Sequence, residues 1–295
     1  MKKLTLTLLA IVTLLFSCNS DDPDNNGGEK VLLKIERTSA NEFTTINYET
    51  NEKVLNHYSN TTLMSEYTYD NQDLLTSLTT HSSLSPEDIS RQYTYNYDDQ
   101  GELTSFHYFR DNGGFEDIDQ DRNLIWTGNS LSVPLVDNFA TTINHFFTFN
   151  DNNLISSFTL NKYNQDKTKL NFEYDNNENV VRFYGFTSDL LGNQVDFDIQ
   201  VTYDDKVNPY YAHYNKYYYQ NLIILCEDFG FSGIPMLQVY SKLGKNNPLT
   251  FDDSFNTPNV ESNHYTYDYD GNYPTKAYLK KADGTIKSTT EFIYQ

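Results

Sequence analysis

Tyr95-Asn96-Tyr97-Asp98-Asp99-Gln100-Gly101-Glu102-Leu103 decides the fold of this chain. Tyr95 and Tyr97 stand two residues apart with a polar residue between them, the period of a β-strand with one buried face. Asp98 to Gly101 supply a tight turn, because Asp side chains bond their own backbone and Gly takes positive φ without a Cβ clash. Leu103 opens the next apolar alternation. The stretch therefore reads as a strand end, a turn, and the start of an antiparallel neighbour.

The unit recurs. Tyr67-Thr68-Tyr69-Asp70, Phe147-Thr148-Phe149-Asn150, Phe172-Glu173-Tyr174-Asp175 and Tyr267-Asp268-Tyr269-Asp270 are further clear copies, each followed by an Asp/Asn-rich turn. Weaker ones lie at Ile46-Asn47-Tyr48, Ile125-Trp126-Thr127 and Val201-Thr202-Tyr203. Phe149 to Tyr174 is 25 residues and Tyr174 to Tyr203 is 29, room for two strands and two turns per repeat. No 3.6-residue periodicity is sustained. The expected fold is all-β: a long antiparallel meander of repeated hairpins, roughly 16 to 20 strands, too many for a flat sheet and so curled into a barrel or open half-barrel. A single domain spans 31–295.

The first eighteen residues read differently. Lys2 and Lys3 precede an apolar run from Leu4 to Phe16 that is too short to span a bilayer, the pattern of a secretory signal peptide over 1–17. Leu15-Phe16-Ser17-Cys18 resembles a bacterial lipobox, which makes Cys18 the expected lipidation site. Two or three acyl chains such as palmitate anchor firmly, since each buried CH₂ contributes roughly 0.8 kcal/mol. Residues 18–30 form an acidic, flexible tether in which Ser20-Asp21-Asp22 resembles an export signal of surface-exposed lipoproteins of the Bacteroidota. The expected address is the outer membrane, lipid-anchored and displayed at the cell surface.

Composition limits the partners. The 295 residues carry a formal net charge of −20, and loss of Lys2 and Lys3 with the leader makes it −22. So acidic a surface repels nucleic acid and anionic headgroups, and no nucleic-acid partner is expected. With Cys18 acylated, Cys226 has no internal disulfide partner; in Leu222-Ile223-Ile224-Leu225-Cys226 it reads as a buried, inert thiol. The stretch Asn161-Lys162-Tyr163-Asn164-Gln165-Asp166-Lys167-Thr168-Lys169 reads as a strand polar on both faces, unlike the strands of a membrane-spanning barrel.

Chemistry-bearing motifs are weak. His57, His81, His107, His145, His213 and His264 show no metal-ligand spacing, and there is no nucleophile elbow and no phosphate-cradling glycine loop. Carboxylates are too numerous to single out a glycosidase pair. Asp117-Ile118-Asp119-Gln120-Asp121-Arg122-Asn123 resembles the start of a calcium loop, but Arg122 and Gly128 stand where its glycine and glutamate belong, so it reads as a solvated acidic loop. No metal, cofactor or enzymatic activity is expected.

One segment breaks the repeat. From about 206 to 264 the chain carries Asn208-Pro209-Tyr210-Tyr211, then Tyr214, Tyr217, Tyr218 and Tyr219, then an aliphatic run and Gly230-Phe231-Ser232-Gly233-Ile234-Pro235. It reads as a long loop with a helical turn at most, folded over the sheet or plugging the barrel. Tyr69, Tyr95, Tyr174, Tyr203 and Tyr267 are assigned to a cross-strand aromatic ladder. Tyr210, Tyr211, Tyr214, Tyr217, Tyr218 and Tyr219 lie outside it and are the candidate ligand residues, with core filling as the competing role. Strand alternation would expose at least one of Tyr217 to Tyr219.

The aromatic-x-Tyr-Asp-x-x-Gly-x-Leu units resemble YD repeats of the Rhs kind, here short and without toxin cargo. Only Gly101 and Gly271 keep the turn glycine among the clear copies. Together with the lipobox, Asn208-Pro209-Tyr210 and the stretch from Ser241-Lys242 to Asn246-Asn247-Pro248, they resemble an uncharacterised lipoprotein family of the Bacteroidota. That resemblance implies a porin-like fold and no catalytic residue. Two functions follow as expectations: a non-enzymatic surface lipoprotein that binds a glycan or a protein partner, or a structural accessory subunit of an outer-membrane assembly with no ligand of its own.

Overall fold

The structure, a computed structural model, describes residues 30–82, 85, 87–111, 117–136, 142–188, 193–228, 243–253 and 263–295. The leader, Cys18 and the tether lie outside them, as do Gly230 to Pro235, Ser241, Lys242 and the side chain of Cys226.

Among the described residues nineteen strands form one sheet. They are β1 (Leu32–Ser39), β2 (Phe43–Thr50), β3 (Lys53–Ser59), β4 (Thr62–Tyr69), β5 (Leu75–His81), β6 (Ile89–Tyr97), β7 (Leu103–Arg110), β8 (Ile118–Asn123), β9 (Ile125–Thr127) and β10 (Ser130–Val136). There follow β11 (Thr142–Phe149), β12 (Ile155–Lys162), β13 (Gln165–Tyr174), β14 (Val180–Ser188) and β15 (Gln194–Val207). Two helices, α1 (Tyr211–Lys216) and α2 (Tyr218–Asp228), precede β16 (Asn246–Asp253), β17 (Asn263–Asp270), β18 (Tyr273–Lys280) and β19 (Ile286–Tyr294). Pairing is antiparallel throughout, and β19 closes back onto β1 with Arg37 opposite Thr290. The meander is a nearly closed barrel with one unsealed seam. It lies at Leu124: β8 pairs with β7 and β9 with β10, and no ladder joins β8 to the far half of β10 among the described residues.

The recurring turn has a specific mechanism. Asp98 Oδ1 accepts the backbone N–H groups of Gln100 and Glu102, both at 2.9 Å. Asp70, Asn150 and Asp175 do the same for the residues two and four positions on. The fourth residue of each turn takes positive φ: Asp73 at 63°, Gly101 at 82°, Asn153 at 60° and Glu178 at 64°. The ladder shifts register at the preceding aromatic, as between Asn96 and Tyr97, which is the bulge that such hairpins carry. The repeat's aspartate and its frequently missing glycine thus have one explanation, since the side-chain bonds hold an αL residue that need not be Gly.

The second tyrosine of the motif is a clamp. Tyr97 Oη donates to the carbonyl of Leu75 at 2.6 Å, Tyr69 to that of Val54 at 2.8 Å, Tyr174 to Ile155 at 2.8 Å, and Tyr203 to Val180 at 2.9 Å. In each case the hydroxyl reaches the start of the neighbouring strand, just past the preceding turn. Burial raises the pKa of all four hydroxyls, that of Tyr97 to about 12. These four hydroxyls are neutral, half-buried donors; of the other residues assigned to the ladder, Tyr267 donates to the carbonyl of Pro248 at 2.9 Å, and Tyr95 is a buried ring stacked on Tyr93.

Inward positions are mostly apolar and outward ones mostly polar. In β13, Thr168, Leu170 and Phe172 are buried while Lys167, Lys169 and Glu173 face out; in β15, Phe197, Ile199 and Val201 alternate with Asp196, Asp198 and Gln200. Outer charges pair on that surface: Arg182 binds Asp198 at 2.8 Å and Glu173 at 3.1 Å, and Lys276 binds Glu291 at 2.6 Å. A lipid-facing strand position resists Lys or Arg at about 2–4 kcal/mol near the bilayer midplane. This outer face is suited to water. One reading is corrected here: Asn161 to Lys169 is not one strand but the β12–β13 hairpin, with Tyr163 and Asn164 at its tip, both at φ 57°. A two-residue turn of this hand needs positive φ at both positions.

Candidate functional site

The described residues of the non-repeating segment are largely regular structure rather than loop. β15 runs to Val207 and β16 resumes the meander at Asn246, so 206–264 is not one loop. Asn208 turns the chain inward: its Oδ1 accepts the N–H of Tyr210 at 3.1 Å, and its Nδ2 donates to the carbonyl of Gly244 at 2.8 Å. The helices then lie across the barrel end that carries the Asp-type turns. His213 Nδ1 donates to the carbonyl of Glu52 at 2.8 Å, Lys216 pairs with the Glu52 carboxylate, and Gln220 Nε2 donates to Tyr97 Oη at 2.9 Å.

The six candidate tyrosines divide. Tyr217, between the helices, is 2% exposed and donates to the carbonyl of Asp73 at 2.8 Å. Tyr218 Oη accepts the N–H of Ile155 at 2.9 Å, and Tyr219 packs edge-on against Trp126 and Phe149 with centroids 5.3 and 5.6 Å away. None of Tyr217 to Tyr219 is exposed. The expected alternation fails because Tyr217 joins the two helices and Tyr218 and Tyr219 open α2, and the rings pack on different partners, Tyr217 against Tyr69 and His213 and Tyr219 against Trp126 and Phe149. Tyr211 is half-buried, its hydroxyl raised in pKa by burial, and Tyr214 packs beside His213. Of the six, Tyr219 borders an open cavity of about 380 Å³ beside Leu103, Leu124 and Trp126, Tyr214 lines a smaller one, and Tyr210 stands at an aromatic-walled cavity inside the barrel.

That cavity, about 300 Å³, lies inside the barrel among β1, β2, β3 and β16 to β19. Tyr265 and Tyr267 stack at 6.1 Å along one wall, and Tyr210 meets Phe292 edge-on at 6.0 Å near the floor. Between these rings stand Thr44, His57, Ser288 and Thr290, with Arg37 and Glu42 exposed at the mouth. Arg37 Nε donates to Ser288 Oγ at 3.3 Å. Burial raises the pKa of Tyr210 and Tyr265, and the Arg37 cation pulls both back toward the ordinary value. A second cavity of about 180 Å³ lies on the far side of Tyr210, sharing Ile46 and His57. Aromatic walls with a few convergent polar groups are the usual make-up of a small-molecule site.

Sequence reading reached Tyr210 and missed Arg37, His57, Ser288 and Thr290. A signal existed in the parity of the strands: Ile35-x-Arg37 and Ser288-x-Thr290-x-Phe292 place polar residues at inward positions that elsewhere are Leu, Phe or Tyr. Other motifs resolve plainly. The Asp117–Asn123 run is not a loop but strand β8, whose Asp119 and Asp121 face out and flank His107 at 2.8 and 3.0 Å, while Arg122 turns inward. Among the described residues no three His, Cys, Asp or Glu side chains converge to hold a metal ion, and no helix is long and apolar enough to cross a membrane.

No protein-family model matches the chain, and no curated protein does. It is similar to the solved structure of a porin-like protein from Bacteroides vulgatus ATCC 8482, at 10% identity over 90% of this chain and 99% of that one, with a TM-score of 0.43. It is also similar to a porin-like protein from Bacteroides uniformis ATCC 8492, at 11% identity over 90% of this chain and 98% of that one, with a TM-score of 0.36.

Proposed function

We propose that this chain is a non-enzymatic lipoprotein of the outer membrane, anchored through Cys18 and displayed at the cell surface, that binds a glycan inside its barrel. The observation that carries the reading is the cavity of about 300 Å³ in which Tyr210, Tyr265, Tyr267 and Phe292 stand among hydroxyl, imidazole and guanidinium groups. Aromatic rings supply faces for a sugar's C–H groups, and the polar side chains supply bonds for its hydroxyls. The charged outer face supports a barrel held at the membrane by its tether rather than immersed in it. Acidity and polarity of the tether support display away from the anionic lipid surface.

The test is a glycan array probed with lipid-free protein starting at residue 19, alongside affinity capture from detergent-solubilised outer membrane. Retention of a defined glycan class, lost in Tyr265→Ala, supports the reading. An empty array together with a stoichiometric captured protein would replace it with the accessory-subunit role.

A further inference from the structure

Arg37 sets the chemistry of the cavity mouth. Its guanidinium has one protein bond, from Nε to Ser288 Oγ, and no carboxylate partner among the described residues. Many cations of the barrel are matched: Lys34 with Glu36, Lys53 with Asp73, Arg182 with Asp198, Lys245 with Glu178 and Lys276 with Glu291. The chain has 41 acidic residues against 21 basic ones, and Arg37 is the one Lys or Arg among the cavity's lining residues. Glu42 lines the same mouth, yet its Oε1 accepts from Ser59 Oγ at 2.8 Å. The terminal nitrogens of Arg37 therefore present an unused fork beside the stacked Tyr265 and Tyr267, and a guanidinium fork matches a planar carboxylate with two parallel bonds. The volume lies at the lower end of the roughly 300–1,000 Å³ that ligand pockets span, which limits the occupant to one or two small rings.

We infer that the cavity takes a carboxylate-bearing sugar of monosaccharide size, its acid group held by Arg37 and its ring lodged against Tyr265 and Tyr210. The inference rests on the glycan-binding reading above and specifies its ligand. The experiment is calorimetric titration of the detergent-solubilised lipoprotein with galacturonate and glucuronate, and with galactose and glucose as their neutral counterparts. The acids should bind about tenfold or more tightly than the neutral sugars, the preference should shrink as salt is raised, and Arg37→Gln should erase it while Arg37→Lys keeps part of it. Equal binding of acidic and neutral sugars would overturn the carboxylate assignment and leave glycan binding standing. Binding of none of the four would overturn both. Should Arg37→Gln lower the melting temperature, the acid-to-neutral ratio in the unaltered protein decides alone.

Discussion

The two halves of this barrel are built from the same repeat and filled in different ways. From β5 to β16 the inward residues are chiefly Leu, Phe, Tyr, Ile and Val, with Arg122, His145, Thr168 and Thr187 buried among them, and α2 adds Leu222 and Ile223, so one continuous apolar cluster occupies most of the interior. Across β1 to β3 and β18 to β19 the cluster shrinks to Leu32, Ile35, Tyr48, Val54, Ala277 and Phe292, and the polar Arg37, Thr44, His57, Ser288 and Thr290 stand around open space. The difference teaches that hairpin chemistry fixes the wall alone. What occupies the lumen is decided by the inward side chains and by the one inserted segment, which fills one side and stops at Tyr210.

The largest expected effect is collective and alkaline. Tyr69, Tyr97, Tyr174 and Tyr203 have hydroxyls raised in pKa by burial, so the native state keeps protons that the unfolded chain releases near pH 10. The stability they contribute is complete below pH 10 and is lost as pH rises through 10 toward 12 and beyond. Absorbance at 295 nm should show these tyrosinates forming together with the loss of β circular dichroism. Smooth ionisation of all tyrosines with the fold intact would mean that the packed half is wet.

Single substitutions sharpen the contrast. Tyr217→Ala, in the packed half, should cost about 3–5 kcal/mol in denaturant melts, whereas Ser288→Ala, beside the cavity, should cost under about 1 kcal/mol. Comparable losses would make the plug and the cavity wall energetically alike. Gly185→Ala should cost about 3 kcal/mol, because Gly185 sits at φ 152° and a Cβ there would lie 1.8 Å from the carbonyl oxygen of Lys169. A neutral result would place β13 and β14 farther apart than this register allows.

The wall was legible in the sequence because its signals are local. Alternating aromatics, an Asp or Asn that bonds its own turn, and spacing of 25 to 29 residues each act within one hairpin, and they gave an antiparallel meander and its approximate strand number. The insert was less legible: Leu222 to Leu225 is a four-residue apolar run whose period cannot separate a strand from a buried helix, and only the fit of Tyr217 and Gln220 against Asp73 and Tyr97 selects the helix. The cavity was least legible of all. Arg37 and Thr290 meet only because the first and last strands pair, a contact between residues about 250 positions apart that no local pattern announces.

One matched pair of substitutions tests most directly whether one half is packed and the other hollow. Val201 and Thr290 are both buried, inward-facing and β-branched, Val201 in the apolar cluster and Thr290 on the cavity wall. Thermal and denaturant melts of Val201→Phe and Thr290→Phe compare the same enlargement in two surroundings. Overpacking should cost Val201→Phe about 1–3 kcal/mol, while Thr290→Phe fills existing space and should leave stability unchanged or raised. Equal destabilisation by both would contradict the account, because it would mean that the barrel has no hollow half for a ligand to enter.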